Sequence, residues 1–167
     1  MPTYPEFLAR LRRHERIEPF PRRRPPDKLA GIRLLLERLR HPERSFRAVH
    51  VAGTNGKGMT SAMIAALLRQ SGAAVGLYAS PHVVDLRERI VLDGAWIAPE
   101  AFASAGSAVL DLADGLRATV ELSYFDLLTA TALAAFRAAR VDWAVLETGL
   151  GGAADATNAA PKAVAVL

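Results

Sequence analysis

Apolar residues change their spacing near residue 48, and the change divides the chain into two parts. Before it, Leu29, Ile32, Leu36 and Leu39 recur at helical intervals until His41-Pro42 ends the run. Asp27 stands where it can cap that helix. Thr3-Tyr4-Pro5-Glu6 has the form of a capping box, opening a shorter helix through about Arg13. Between the two, Glu18 to Pro26 is rich in Pro and Arg and reads as an extended linker.

From residue 48 onward, short β-branched runs alternate with helical segments. Strands are predicted at Ala48–Ala52, Val75–Ala79, Trp143–Glu147 and Ala163–Leu167. An amphipathic helix is predicted over Thr60–Gln70, with Gly72 placed to stop it. Pro99 opens a helix running toward Leu112, and Ser123 with Asp126 looks like a capped start for a helix to about Ala139. Ile90-Val91-Leu92, Asp93-Gly94 and Ala95-Trp96-Ile97 spell a hairpin with a two-residue turn. This alternation implies an α/β fold: a mostly parallel sheet, helices on both faces, ligands at the carboxyl ends of the strands. The strands would then deliver the loop after Ala52, Ser80 and Glu147 to one edge. We expect residues 1–47, two helices and a basic linker, to pack on a core formed by 48–167. The last residue, Leu167, falls inside an apolar strand, so the chain is expected to be the front part of a longer protein. A sheet face left uncovered there would promote self-association.

Composition narrows the classes. The 167 residues are half hydrophobic and under a quarter charged, which is globular. No apolar run reaches the ~20 residues of a membrane span, and the N-terminus lacks the apolar stretch of a signal peptide. The absence of cysteine excludes disulfides, thiolate nucleophiles and cysteine metal sites. Cytoplasmic residence is the expectation. The net charge of +4 is unevenly spread: residues 1–47 carry thirteen Lys/Arg against six Asp/Glu, or +7, leaving −3 for the rest. Arg10, Arg12, Arg13, Arg16, Arg22, Arg23 and Arg24 crowd one stretch whose sole aromatic, Phe20, lies among prolines. That reads as a solvated basic face first, a face toward an anionic substrate second, and a nucleic-acid surface last.

The most informative stretch is Val49-His50-Val51-Ala52-Gly53-Thr54-Asn55-Gly56-Lys57-Gly58-Met59-Thr60. A strand feeds a glycine turn and then a helix, the arrangement that cradles phosphate with inward N–H groups, a helix N-terminus and a lysine. Only three lysines stand against eighteen arginines, so Lys57 is not one of many interchangeable surface charges. The strict phosphate-loop pattern needs four residues between the glycines and a hydroxyl after the lysine; here there are two, followed by Gly58.

Three blocks follow in order: Gly53–Gly58; Ser80-Pro81-His82 with Glu88-Arg89-Ile90; and Glu147-Thr148-Gly149-Leu150-Gly151-Gly152 with Asp155-Ala156-Thr157-Asn158. Together they resemble the folylpolyglutamate synthase / dihydrofolate synthase branch of the Mur ligases, over roughly residues 26–167. The resemblance implies the front, incomplete part of a phosphate-loop ATP-binding domain. It also implies an ATP-dependent ligase that adds L-glutamate to dihydropteroate or folate through an acyl phosphate. Gly53, Thr54, Asn55, Gly56, Lys57, Gly58 and Thr60 would then bind ATP. Ser80 and Glu147 would hold Mg2+, with Lys57 and Glu147 in catalytic roles. Ser123, Tyr124, Phe125, Asp126, Ala154, Asp155 and Ala156 match positions lining the pterin site. Helix capping by Ser123 and Asp126, and loop bonding by Asp155 and Asn158, are equally ordinary roles for those residues. His82 fits loop packing better than magnesium, which prefers oxygen. Arg87 and Arg89 could face anionic substrate or solvent.

Three positions depart from the family pattern: Met59 replaces a hydroxyl residue, Ala153 an arginine, and Asp126 a glutamate. The family's second-magnesium histidine, carbamylated lysine and C-terminal domain would all fall after Leu167, so the chain alone is expected not to turn over. Two other readings stand beside this one. Another Mur-type amide ligase would act on a different acceptor, and a non-catalytic remnant would bind nucleotide or a partner through its arginines.

Overall fold

A computed structural model describes residues 2–15 and 27–167. Arg16, Phe20, Arg22, Arg23, Arg24 and the predicted linker lie outside the described residues. The elements in order are α1 (Tyr4–Leu11), α2 (Ala30–Arg38), β1 (Arg47–Val51), α3 (Lys57–Gln70), β2 (Val75–Tyr78), β3 (Ile90–Leu92), β4 (Ala95–Trp96), α4 (Pro99–Leu116), α5 (Tyr124–Ala139), β5 (Trp143–Glu147) and β6 (Val164–Val166).

The strands form one sheet in the order β4-β3-β2-β5-β1-β6. β2, β5, β1 and β6 are parallel, while β3 and β4 add an antiparallel hairpin at one edge. Positive φ at Asp93 (48°) and Gly94 (86°) makes the two-residue turn. β5 lies between β1 and β2, with Val51 opposite Glu147 and Tyr78 opposite Leu146. The chain therefore leaves β1, β2 and β5 side by side at one edge, as the alternating pattern predicts.

Period-2 alternation assigns the faces. Ala48, Tyr78, Ile90, Ala144 and Leu146 point into a large core built with α1, α2, α4 and α5. Val49, Val51, Val75 and Val145 point the other way, where α3 packs on them through Ala65, Ile64 and Leu68. α1 seals the large core with Phe7, whose ring lies 5.0 Å from that of Phe102. α5, buried along most of its length, begins with the capping box read from sequence: Ser123 Oγ accepts from Asp126 N, and Asp126 Oδ2 accepts from Ser123 N.

Several boundaries differ from expectation. α3 starts at Lys57, three residues before the predicted Thr60, because Gly56 (φ 77°) takes the left-handed N-cap position. Its amphipathicity is weak: Met59, Met63 and Leu67 are exposed on it. The N-cap of α2 is Leu29 rather than Asp27, whose carboxylate reaches forward to Leu29 N and Arg33. α4 continues four residues beyond Leu112. β6 is apolar, yet Val164 stands half exposed. Arg10 is not part of a free basic face, since it pairs with Asp111 and Asp114 on α4.

Candidate functional site

Glu147 sits at the end of a strand that is otherwise wholly apolar, and only 4 % of it is exposed. Its Oε2 accepts a hydrogen bond from the backbone N–H of Ser80 at 3.0 Å. A Cβ placed on Gly58 would lie 3.6 Å from Glu147 Oε1, so the first turn of α3 also borders the carboxylate. Three sequence-predicted groups from three strands thus meet: the loop after β1, Ser80 after β2, and Glu147 at the end of β5. Between Ala52 and α3, the amides of Gly53, Thr54, Asn55 and Gly56 donate to no protein acceptor among the described residues. Lys57, at the first position of α3, makes no ion pair among them. Its Cγ would be 3.8 Å from a Cβ on Gly53, so the side chain lies back along the loop.

This arrangement can take an anion and a hard cation. The helix N-terminus, the free amides and the ammonium supply positive potential. Glu147 and the Ser80 hydroxyl supply oxygen donors, the set that suits magnesium with its retained waters. Among the described residues no group of three or more His, Asp or Glu is gathered as a metal cluster by itself. Two hydroxyls adjoining these residues in sequence, Ser61 Oγ and Thr148 Oγ1, are buried with no protein partner. Met59 is exposed on α3, and Thr60 is partly buried beside it.

The second group of predicted residues gathers nearby. Phe125 packs on Gly149, where an added Cβ would come within 2.8 Å of the ring and 3.3 Å of Asp155 Oδ2; any larger residue would displace one or the other. The Phe125 ring also lies 5.8 Å from Tyr78. Tyr124 lines a cleft of about 260 Å³ with Tyr4, Leu8, Glu15, His82 and Val84. Burial and the neighbouring Glu15 push its phenol up to about 12. Asp155 is buried and bonds its own loop: Oδ2 accepts from the amides of Gly149 and Leu150 (2.9 and 3.0 Å), Oδ1 from the amide and hydroxyl of Thr157 (3.0 and 2.6 Å). Asn158 likewise donates to Ala153 O at 2.9 Å. Ala154 is exposed, and Ala156 is buried at the start of a short 3₁₀ turn.

Sequence reasoning missed what holds the Ser80 loop. Glu88 accepts from the amides of Val83, Val84 and Asp85 at 2.7 to 2.8 Å. These bonds hold its carboxyl below the usual range. Asp85 takes Arg87 in a two-pronged pair and the hydroxyl of Tyr4, tying α1 to the loop. The Arg87 bonds lower its carboxyl to about 2. Arg87 is therefore engaged within the loop, and Arg89 donates to His82 Nδ1 at 2.9 Å, consistent with loop packing for that histidine. The spacing Asp85-x-x-Glu88 repeats the capping-box signal of Thr3-x-x-Glu6, and could have been read from sequence. Also missed was His50, a buried polar residue between Val49 and Val51 on β1; its Nε2 lies 2.7 Å from Thr157 Oγ1.

No family model matches the chain. Curated proteins do. A probable bifunctional folylpolyglutamate synthase/dihydropteroate synthase of Haloferax volcanii is 47 % identical over 138 residues, covering 81 % of this chain and 16 % of that protein. The dihydrofolate synthase/folylpolyglutamate synthase of Bacillus subtilis is 37 % identical over 142 residues, covering 83 % and 33 %. Among solved structures, the bifunctional folylpolyglutamate synthase/dihydrofolate synthase of Yersinia pestis, complexed with AMPPNP and Mn ion, superposes with a TM-score of 0.85 at 30 % identity, covering 99 % of this chain and 39 % of that one. The chain thus spans at most about a third of the length of these two curated relatives.

Proposed function

The chain belongs to the folylpolyglutamate synthase / dihydrofolate synthase branch of the Mur ligases, and on that premise we propose that it supplies the nucleotide- and magnesium-binding part of an ATP-dependent ligase. The reaction adds L-glutamate to dihydropteroate or folate. The observation that carries this reading is the junction of Ser80, Glu147 and Gly58 beside a loop of unbonded amides.

The chemical difficulty of such a reaction is charge. A phosphate must approach a carboxylate, and only cations and oriented N–H groups make that approach tolerable. In this reading Lys57 and the amides of Gly53 to Gly58 hold the phosphates, with Thr60 adding a hydroxyl. Ser80 and Glu147 would hold magnesium, which would supply positive charge to offset that of the phosphates. Glu147 is oriented for this by the Ser80 N–H and shielded from water by burial. The acceptor would lie against Phe125, Tyr124 and the segment Ala154–Ala156, beyond the phosphate loop. Ser123 and Asp126 serve this surface through the helix start they fix. The acceptor carboxylate would attack the γ-phosphorus of ATP, breaking its bond to the bridging oxygen and releasing ADP; the glutamate amine would then attack the resulting acyl phosphate, forming the amide as inorganic phosphate leaves and the amine gives up a proton.

The test is ATP binding to the 167-residue chain with and without Mg2+, for the natural sequence and Glu147→Gln. We expect Mg2+ to strengthen binding in the natural sequence and Glu147→Gln to lose about tenfold of that gain, as for loss of a charged contact. Equal affinity with and without Mg2+, or an unaffected Glu147→Gln, would contradict it.

A further inference from the structure

His50 lies on β1 three residues before Gly53, but its side chain points to the opposite sheet face from α3, into the large core side where Thr157 is wholly buried. The proton on the bond between them can be assigned. Thr157 Oγ1 has one hydrogen and lies 2.6 Å from Asp155 Oδ1. Both Asp155 oxygens already accept backbone N–H groups, so the hydroxyl donates to the carboxylate. Toward His50 it can only accept, and Nε2 of His50 must therefore carry a hydrogen. The chain of donation runs from His50 to Thr157 to Asp155, and the far oxygen of Asp155 receives Gly149 N and Leu150 N, two and three residues after Glu147.

The same loop returns to the phosphate side. A Cβ on Gly152 would be 3.6 Å from Ala52 Cβ, the residue between β1 and Gly53. The relay thus closes a ring from β1, through the 3₁₀ turn at Ala156–Ala159, to the loop after β5 and back beside β1. Phe125 rests on Gly149 within that ring.

We propose that His50 is a positioning residue for the loop that follows Glu147, acting through Thr157 and Asp155 to set the backbone between the metal-binding carboxylate and the acceptor surface. It touches neither nucleotide nor acceptor. Asp155 in this role is a strut whose acceptor positions are filled by its own loop. Burial, with the nearby Lys162, lowers the pKa of His50, which keeps the ring neutral near neutral pH. The inference rests on the proposed function for its consequence, but its geometry can be tested without it.

The experiment uses amide hydrogen exchange, read by NMR, on the 167-residue chain. Gly149 and Leu150 are compared with Thr148, whose amide bonds to Val51 O in the sheet and reports general loosening. The variants are His50→Leu, which removes the donor, His50→Gln, whose amide nitrogen reaches where Nε2 does, and Thr157→Val with Thr157→Ser as its conservative partner. We expect His50→Leu and Thr157→Val to speed exchange at Gly149 and Leu150 about tenfold beyond any change at Thr148. His50→Gln and Thr157→Ser should restore protection. Binding of Mn2+ with AMPPNP should weaken in the same two variants and recover in the other two. Exchange at Gly149 and Leu150 that moves only in step with Thr148, or a Gln variant no better than Leu, would overturn the relay. Should His50→Leu not fold, the two Thr157 variants decide by the same criterion. Failure of the natural sequence to bind nucleotide would count against the proposed function alone, since the exchange comparison does not depend on it.

Discussion

The loop after β1 leaves the amides of Gly53, Thr54, Asn55 and Gly56 without protein acceptors among the described residues. In the loops after β2 and β5, by contrast, one carboxylate each gathers the backbone: Glu88 takes three amides, Asp155 three amides and a hydroxyl. The first loop is built to receive its partners from a ligand, while the other two are organised before any ligand arrives. On the proposed function, a site that screens phosphate charge and orients an acceptor would use both kinds of surface. Free N–H groups at a helix N-terminus attract charge, and fixed backbone places what the charge must meet.

The contrast can be broken at Asp155 first. Asp155→Ala leaves the amides of Gly149 and Leu150 and the buried amide of Thr157 without an acceptor and is expected to cost about 3 kcal/mol of stability, measured by urea unfolding. A loss under about 1 kcal/mol would mean water replaces the carboxylate and the loop is not pre-set. Next in size is the cap that aims Tyr124 and Phe125. Ser123→Ala should cost about 1 kcal/mol, with Ser123→Asp recovering most of it.

A smaller effect separates the loops by pH. The folded-state pKa of His50 is lowered, so below its ordinary value near ~6.5 the unfolded chain binds a proton that the folded chain refuses. Stability is therefore full above about pH 6.5 and falls as pH drops below it, and His50→Gln should flatten that slope. Asp85 behaves differently. Its lowered pKa of about 2 means its contribution is present above its ordinary value of ~3.9 and is lost only as pH falls through about 2. Asp85 should thus still contribute at about pH 4.5, where stability has already begun to fall on account of His50; urea unfolding of Asp85→Asn and His50→Gln beside the natural sequence would read the two separately. Smallest of all, Met63→Lys on the exposed side of α3 should change stability by less than about 0.5 kcal/mol. A larger loss would show that α3 buries more than one face.

How far the sequence could be read depended on whether an interaction is local. The sheet, its edge and the delivery of the loop after β1, Ser80 and Glu147 to that edge follow from apolar runs bounded by glycines, because period-2 burial writes itself along each strand. The capping box at Ser123 and the turn at Asp93-Gly94 are also local, and appear as expected. The start of α3 was misplaced because the left-handed Gly56 acts as cap with no side chain to announce it. His50 and Thr157 are 107 residues apart, and no spacing rule links them. The ion pairs of Arg10 with α4 were hidden for the same reason, since a basic stretch looks solvated until its distant partners are placed. Glu88 lay within reach of local reading; its position three residues after Asp85 carried the signal.

The most direct test is calorimetric titration of Mg-ATP into the 167-residue chain beside Lys57→Ala. The free amides and the lone lysine predict measurable binding that weakens at least tenfold in the variant, about 1.4 kcal/mol or more, with thermal stability unchanged. Absence of binding in the natural sequence, or equal affinity in both proteins, would contradict the phosphate cradle on which the functional reading stands.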